Sequence, residues 1–186
     1  YKPKRRTRAM IAREKGFEPL AKLVLEEQGD RNQINDWLDE FQAGLSLSLP
    51  TDEIWRGVWD ICAEKVAEDS QTRTRIRQLT FKQGAFVSEV KPEFKETNSK
   101  FEMYYEFNEN ISKIQPHRYL AIRRGEKEEI LQARVHVQRE LTESTLREIW
   151  LAKANLDFRQ ELQVALSDAY ERLLAPSIET EIRQEL

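Results

Sequence analysis

Residues 101–131 constrain the fold more than any other stretch, because they combine clustered aromatic side chains with strong helix-boundary signals. Phe101, Tyr104 and Tyr105 stand at i, i+3 and i+4, a spacing that places three side chains on one face of a helix. The first part of this stretch therefore predicts an aromatic helix.

The second part of the stretch carries the signals of a short helix. Pro116 fits the first turn of a helix, where its missing N–H costs nothing. Gly125 fits the position just beyond a helix end, where positive φ is needed. We therefore expect a helix that begins at Pro116 and ends before Gly125.

The clearest amphipathic pattern in the first half of the chain predicts a longer helix. Its apolar residues recur at i, i+3, i+4, i+7 and i+11. They are Trp55, Val58, Trp59, Cys62 and Val66. The stripe contains no basic group that would lower a thiol pKa, so Cys62 is interpreted as a small buried hydrophobe rather than a reactive thiol.

The first thirty residues predict a helical hairpin. Thr7 is a suitable N-cap, Gly16 a suitable stop, and Pro19 a suitable start for a second helix. Two short helices across a tight turn form either a packing hairpin or a helix-turn-helix, and the packing hairpin is favoured.

Two segments show β signals. Apolar and polar residues alternate over residues 131–138, which favours a strand. This segment has no obvious partner nearby, so a short hairpin and a helix both stay open, and residues 85–91 likewise fit either a strand or a helix. The sequence therefore predicts a mainly α protein. We expect an irregular multi-helix array with a hairpin or helix-turn-helix-like start and at most a short β element near residues 131–138.

The last third carries an extended helical stripe. Its apolar positions are Phe158, Leu162, Ala165, Leu166, Ala169 and Leu173. Pro176 interrupts the pattern, and a new apolar face begins at Ile178. We expect residues 176–186 to lead into a further domain, and the whole chain to be one module of a longer protein.

Composition limits the cellular setting. One cysteine among 186 residues excludes an internal disulfide and is typical of a reducing compartment. The chain has no apolar run of the roughly 20 residues that a membrane span needs, and its basic start lacks the apolar core of a signal peptide. These features predict a cytoplasmic protein.

The residues required for common enzyme sites are missing from the sequence. Two histidines and one cysteine, without ligand spacing, do not make a zinc site. The six glycines are isolated, so no phosphate-binding loop is present, and there is no Gly-x-Ser-x-Gly motif. We therefore expect a non-enzyme with no metal and no cofactor.

Nucleic-acid binding is the more plausible chemistry. The net charge is only −3, but a basic arm at the start of the chain could contact phosphates without reading sequence. The arm consists of Lys2, Lys4, Arg5, Arg6 and Arg8.

The start of the helix predicted at Pro116 supplies two more candidates. His117 and Arg118 stand where free backbone N–H groups favour an anion. The alternatives, which we favour, are a capping role for His117 and a structural salt bridge for Arg118.

Two other clusters have nucleic-acid and structural interpretations, of which the structural one is favoured. The basic residues of the first cluster either bind phosphates or form ion pairs with neighbouring helices; they are Arg73, Arg75, Arg77 and Lys82. Tyr104, Tyr105 and Phe107 either stack on bases or belong to the core.

Three separated segments resemble, in order, signature blocks of the Tex family of bacterial transcription accessory proteins. They are YKPKRRTRAMIAREKGFEPLA, YYEFNENISKIQPHRYLAIRRGEKEEIL and DAYERLLAPSIETEIRQEL. The resemblance extends from Tyr1 to Leu186, although residues 34–100 match only in general helical character. The chain departs from the family pattern at Gln115, where a small residue is usual, and at Glu129, where glycine is frequent.

The resemblance implies that residues 1–186 are an N-terminal helical module of a long, cytoplasmic, multidomain protein. In the family such a module precedes an RNase-H-like domain generally regarded as lacking nuclease activity, helix-hairpin-helix elements and an OB-fold RNA-binding domain. Family members are similar to a eukaryotic transcription elongation factor and bind RNA or DNA chiefly through the OB-fold domain. The family motifs matched here contain no catalytic residues.

Two functions follow from this resemblance as expectations. The first is a non-catalytic scaffold that positions downstream nucleic-acid-binding domains in transcription regulation. The alternative is a protein-interaction module that docks RNA polymerase or another transcription component.

Overall fold

A computed structural model describes residues 5–26, 29–152 and 156–186 of the chain. It divides into two compact units. The helical unit comprises the described parts of Tyr1–Thr72 and Glu143–Leu174, and the sheet unit comprises Arg73–Thr142 and Ala175–Leu186. The predicted fold class is confirmed, because helices predominate and the β structure of the described chain is one small sheet.

The described helices, in chain order, are α1 (Arg8–Glu14), α2 (Glu18–Leu25), α3 (Arg31–Ala43), α4 (Thr51–Glu68), α5 (Ser70–Gln83), α6 (Pro116–Lys127), α7 (Arg139–Trp150), α8 (Arg159–Asp168) and α9 (Ala175–Glu185). The strands are β1 (Ala85–Val90), β2 (Glu106–Asn110) and β3 (Leu131–His136).

Helix α4 is the core of the helical unit. Its fully buried side chains include Ile54, Val58, Ile61, Cys62 and Val66. The predicted stripe is confirmed at Val58, Cys62 and Val66, whereas its two tryptophans are only half-buried. The two indoles lie at the edge of the buried face and stack on each other with ring centroids 5.3 Å apart.

The predicted hairpin forms against α4. The Thr7 hydroxyl accepts a hydrogen bond of 3.1 Å from the Met10 backbone N–H, which caps α1. Gly16 adopts φ 90°, and Pro19 lies in the first turn of α2. Both helices pack on α4, as the packing-hairpin interpretation expects.

The sheet unit contains three antiparallel strands in the order β2-β1-β3. Ala85 pairs with Asn110 on one side and with His136 on the other. The strand predicted near residues 131–138 is confirmed, and its partner is the segment that fitted either a strand or a helix.

The predicted aromatic helix is wrong. Phe101 is followed by a 3₁₀ turn over Glu102–Tyr104, and β2 begins two residues later. A single 3₁₀ turn, with about three residues per turn, buries positions i and i+3 as a helix does. Phe101 and Tyr104 are therefore both buried, while backbone pairing with β1 makes the following residues a strand.

Helix α6 begins at Pro116 as predicted but continues through Gly125 to Lys127. Gly125 is buried inside the helix, where an added Cβ would collide with the Leu131 side chain. The helix ends in a Schellman motif: the Ile130 N–H donates to the Gly125 carbonyl and the Glu129 N–H to the Glu126 carbonyl, each at 3.0 Å.

The position with positive φ is Glu129, at φ 61°, which is the only non-glycine residue with positive φ in the described parts of the chain. It occupies the site where helices commonly place glycine.

The stripe predicted in the last third shifts by one residue. Residues Ala169–Leu174 form a π-helical segment, whose i→i+5 bonding inserts an extra residue into the turn. Leu174 is consequently fully buried in place of the predicted Leu173, which is half-buried. Helix α9 follows directly, with Pro176 in its first turn and Ile178 and Ile182 buried.

We expect Glu129→Gly to stabilise the sheet unit by about 0.5–1 kcal/mol, because glycine removes the steric cost of the left-handed conformation at a modest entropic cost. The shift in the urea denaturation midpoint measures this effect. Glu128→Gly is the matched control. Glu128 has φ −81°, so glycine relieves no steric cost there and brings only its entropic cost, and this variant should be less stable. An unchanged or lower midpoint for Glu129→Gly would contradict the assignment.

Candidate nucleic-acid interface

The basic arm is partly engaged within the helical unit. Lys2 and Lys4 lie outside the described residues. Arg6 forms an ion pair with Glu14, and Arg8 Nε lies 3.8 Å from Asp60 Oδ1. Arg5 is exposed and has no ion-pair partner among residues 5–26, 29–152 and 156–186.

The acids around α1 account for this engagement. Arg13 binds Glu64 and lies 3.4 Å from Glu18, and the hydrogen bond from Arg13 to Glu64 raises the pKa of Arg13. Burial raises the pKa of Asp60, and the positive charge of Arg8 opposes that rise. Much of the positive charge that the sequence concentrates at this end is therefore balanced locally.

The two candidates at the start of α6 behave differently. Arg118 Nη1 forms an ion pair of 3.0 Å with Glu109 Oε2 on β2, as the structural interpretation expects. His117 is exposed at the second position of the helix, and the helix has no side-chain N-cap hydrogen bond. A nucleic-acid role for either residue stays a prediction.

Arginines on α5 are structural within the sheet unit. Arg73 donates to Ser177 Oγ at 2.8 Å and forms an ion pair with Glu181 on α9. Arg77 forms ion pairs with Glu181 and Glu185. These contacts are the helix-to-helix ion pairs that the structural interpretation predicts.

The aromatic candidates are also structural. Tyr104 is buried and packs edge-on against Phe107, with ring centroids 5.5 Å apart. A ring that is already covered by protein offers no free face for base stacking.

Helix α6 carries an exposed basic face that sequence reasoning did not include. His117, Leu120, Arg124 and Lys127 follow one another at i, i+3, i+7 and i+10, so they share one face of the helix. All four are exposed, Leu120 to 57%. The spacing is visible in the sequence, but placing the helix end at Gly125 excluded Lys127 from the helix. We call these four residues the α6 face.

The opposite side of α6 is held by Arg183 of α9. Its guanidinium binds Glu126 through two bonds of 3.0 and 3.1 Å and Glu179 through one of 3.1 Å. It also donates to the Ala133 carbonyl of β3 at 2.8 Å and lies 5.1 Å from the ring centroid of Phe86 on β1.

Electrostatics favour this arrangement. The Arg183 side chain is only 17% exposed. Burial acts to lower the pKa of Arg183, but hydrogen bonds and charges from Glu126 and Glu179 more than offset it, and the pKa is raised. The guanidinium therefore remains charged while it joins α9 to α6, β3 and β1.

The helical unit contains an open aromatic groove. Trp55 stacks on Phe158 with centroids 5.5 Å apart as well as on Trp59, and Arg31 lies over the Phe158 ring at 5.5 Å. Leu38 of α3 also lines the groove. This surface is partly exposed, and charged side chains such as Asp52 and Glu161 line it together with the apolar ones.

Groups suited to catalysis are sparse in the described parts of the chain. No group of three or more His, Cys, Asp or Glu side chains in those parts could hold a metal ion. Cys62 is fully buried, and burial raises its thiol pKa to about 12, which confirms its interpretation as a core residue. Among the described helices, none is long and apolar enough to cross a membrane.

Comparisons with known proteins identify relatives. YdcI of Bacillus subtilis is 36% identical over the whole chain, which covers 26% of that protein. The protein tex of Bordetella pertussis is 35% identical over 78% of the chain and 18% of its own length. Human S1 RNA-binding domain-containing protein 1 is 31% identical over 97% of the chain and 19% of its own length.

The chain thus spans about a quarter or less of the length of these curated relatives. A family model described as Tex central region-like matches residues 50–186, well over half of the chain. The chain belongs to the Tex family.

Proposed function

We propose that this chain is a non-catalytic, helical scaffold module of a cytoplasmic transcription accessory protein, and that it positions nucleic-acid-binding domains. Family membership supports the transcription-related role. Its relatives are several times longer than the chain, and one is named for an S1 RNA-binding domain. In this proposal, residues 1–186 act as one module, and residues 176–186 connect it to the next domain.

The observation that carries the scaffold role is the set of contacts around Arg183. One side chain joins α9 to α6, to β3 and to the aromatic core of the sheet unit. Tyr119 Oη of α6 adds a hydrogen bond of 3.0 Å to the Arg183 carbonyl. A helix held at several points keeps a fixed orientation to its sheet, which is the mechanical property that a positioning module needs.

The basic arm has a secondary role in this proposal. Arg5 and the engaged Arg6 and Arg8 add a modest, sequence-independent phosphate contact. The α1–α2 hairpin uses its apolar face for packing on α4, so a DNA-reading role for it has less support.

The docking of RNA polymerase or another transcription component is the second candidate function. It is favoured by the aromatic groove of Trp55, Trp59 and Phe158, because aromatic side chains commonly anchor protein interfaces.

The scaffold role predicts that Arg183→Ala will impair a longer protein that carries this chain together with an S1 RNA-binding domain. Removing Arg183 leaves the half-buried Glu179 carboxylate without its ion-pair partner and leaves Glu126 with Arg123 alone, which should cost about 1–3 kcal/mol. We expect a weaker affinity for single-stranded RNA, measured by fluorescence anisotropy, while the separately produced S1 domain binds unchanged.

Two further variants make this test specific. Arg183→Lys keeps the charge and should restore part of the affinity. Arg134→Ala, an arginine that is 52% exposed on β3, should have no effect. If Arg183→Ala lowered the stability of the sheet unit and left the affinity of the longer protein unchanged, the positioning role would be contradicted.

For the basic arm, we expect replacement of Arg5, Arg6 and Arg8 with Ala to weaken binding of the chain to single-stranded RNA. The slope of log affinity against log salt should flatten by about 0.7 for each phosphate that the arm no longer neutralises. An unchanged slope would contradict a phosphate-binding role for the arm.

If the chain did not bind RNA but retained purified RNA polymerase in a pull-down, the docking function would be favoured.

A further inference from the structure

Arg124 and Lys127 of the α6 face differ from the other two arginines of the same helix, because they form no ion pair within the described residues. Arg118 is bound to Glu109 and Arg123 to Glu126, at 3.0 and 2.9 Å. Arg124 and Lys127, by contrast, are exposed and have no ion-pair partner in the described parts of the chain.

Among the described residues, one acid lines the depression beside the α6 face, and its charge is already neutralised by ion pairs. Glu126 lines the same shallow depression as Leu120, Arg124 and Lys127. Its two carboxylate oxygens accept hydrogen bonds from Arg183 and from Arg123. The depression therefore presents a net positive charge to solvent.

We propose that the α6 face binds the sugar-phosphate backbone of a single nucleic-acid strand. His117 and Lys127 are ten residues apart, about 15 Å along a helix axis. A row of this length can reach more than one phosphate of an extended strand. The inference deepens the proposed function by adding a nucleic-acid contact within the sheet unit itself, and it rests on that function.

Each side chain has a defined role in this contact. The Arg124 guanidinium and the Lys127 ammonium bind phosphate oxygens, and the His117 imidazole donates a further hydrogen bond. Leu120, between them, offers an apolar surface to a sugar or to the face of a base. An acidic protein segment would use the cations but would gain less from a regular row of charges beside an exposed leucine.

The test compares two double variants of the 186-residue chain for binding to a fluorescein-labelled oligouridine. The oligouridine has about 12 nucleotides, a length comparable to typical single-strand sites. Arg124→Gln with Lys127→Gln removes two charges from the α6 face. Lys95→Gln with Arg159→Gln is the matched control, since both cations are exposed and neither forms an ion pair within the described chain. Circular dichroism checks that both variants keep the helical fold.

We expect the α6 variant to bind on the order of tenfold more weakly at low salt. Its salt slope should be flatter by about 1.4, the value for two single-strand phosphates that are no longer neutralised. The control should bind as the unsubstituted chain does.

Three outcomes would overturn the inference. The first is an equal effect of both variants, which would indicate non-specific attraction. The second is no binding by the unsubstituted chain. The third is equal displacement of the oligonucleotide by polyglutamate at matched charge, which would assign the face to an acidic protein. None of these outcomes contradicts the positioning role, which depends on Arg183 in the longer protein.

Discussion

The ion pairs and hydrogen bonds of the half-buried Arg183 guanidinium link the elements of the sheet unit. A charge that is largely removed from water is tolerated only where its hydrogen bonds are satisfied, and here Glu126, Glu179 and the Ala133 carbonyl satisfy them. Such a network contributes less to net stability than to a unique arrangement, because an apolar replacement could fill the same space. We infer that it orients α9 against α6 and the sheet.

The same network determines how α6 presents charge. Arg183 and Arg123 hold the Glu126 carboxylate, so this acid cannot neutralise Arg124 or Lys127 on the outer side. In the helical unit the pattern is different, because Arg13 and its neighbours are matched by acids of α2 and α4. Among the described residues, most arginines at the start of the sequence are therefore ion-paired, whereas Arg124 and Lys127 on α6 are not.

Local patterns predicted the parts of the fold that local forces control. The α4 stripe, the Thr7 cap and the strand near residues 131–138 all follow from side-chain periodicity or capping chemistry. Such patterns did not predict the β2 strand, because backbone pairing with β1 determines its conformation. Likewise, the extra residue of the π-helical segment causes Leu174 to be buried instead of Leu173. The apolar pattern of the sequence contains no signal for that extra residue.

One helix boundary limited how much of the candidate site could be predicted. The sequence predicts a helix end at Gly125, whereas in the structure this glycine allows close packing on Leu131 and the left-handed position falls on Glu129. The departure from the family pattern at Glu129 was the available signal, and it would have restored Lys127 to α6.

Amide hydrogen exchange of the unliganded chain is the most direct test of a preformed framework. Amides of β1 and α6 should exchange only through global unfolding, far more slowly than residues 95–100; exchange of β1 as fast as that loop would contradict the rigid scaffold.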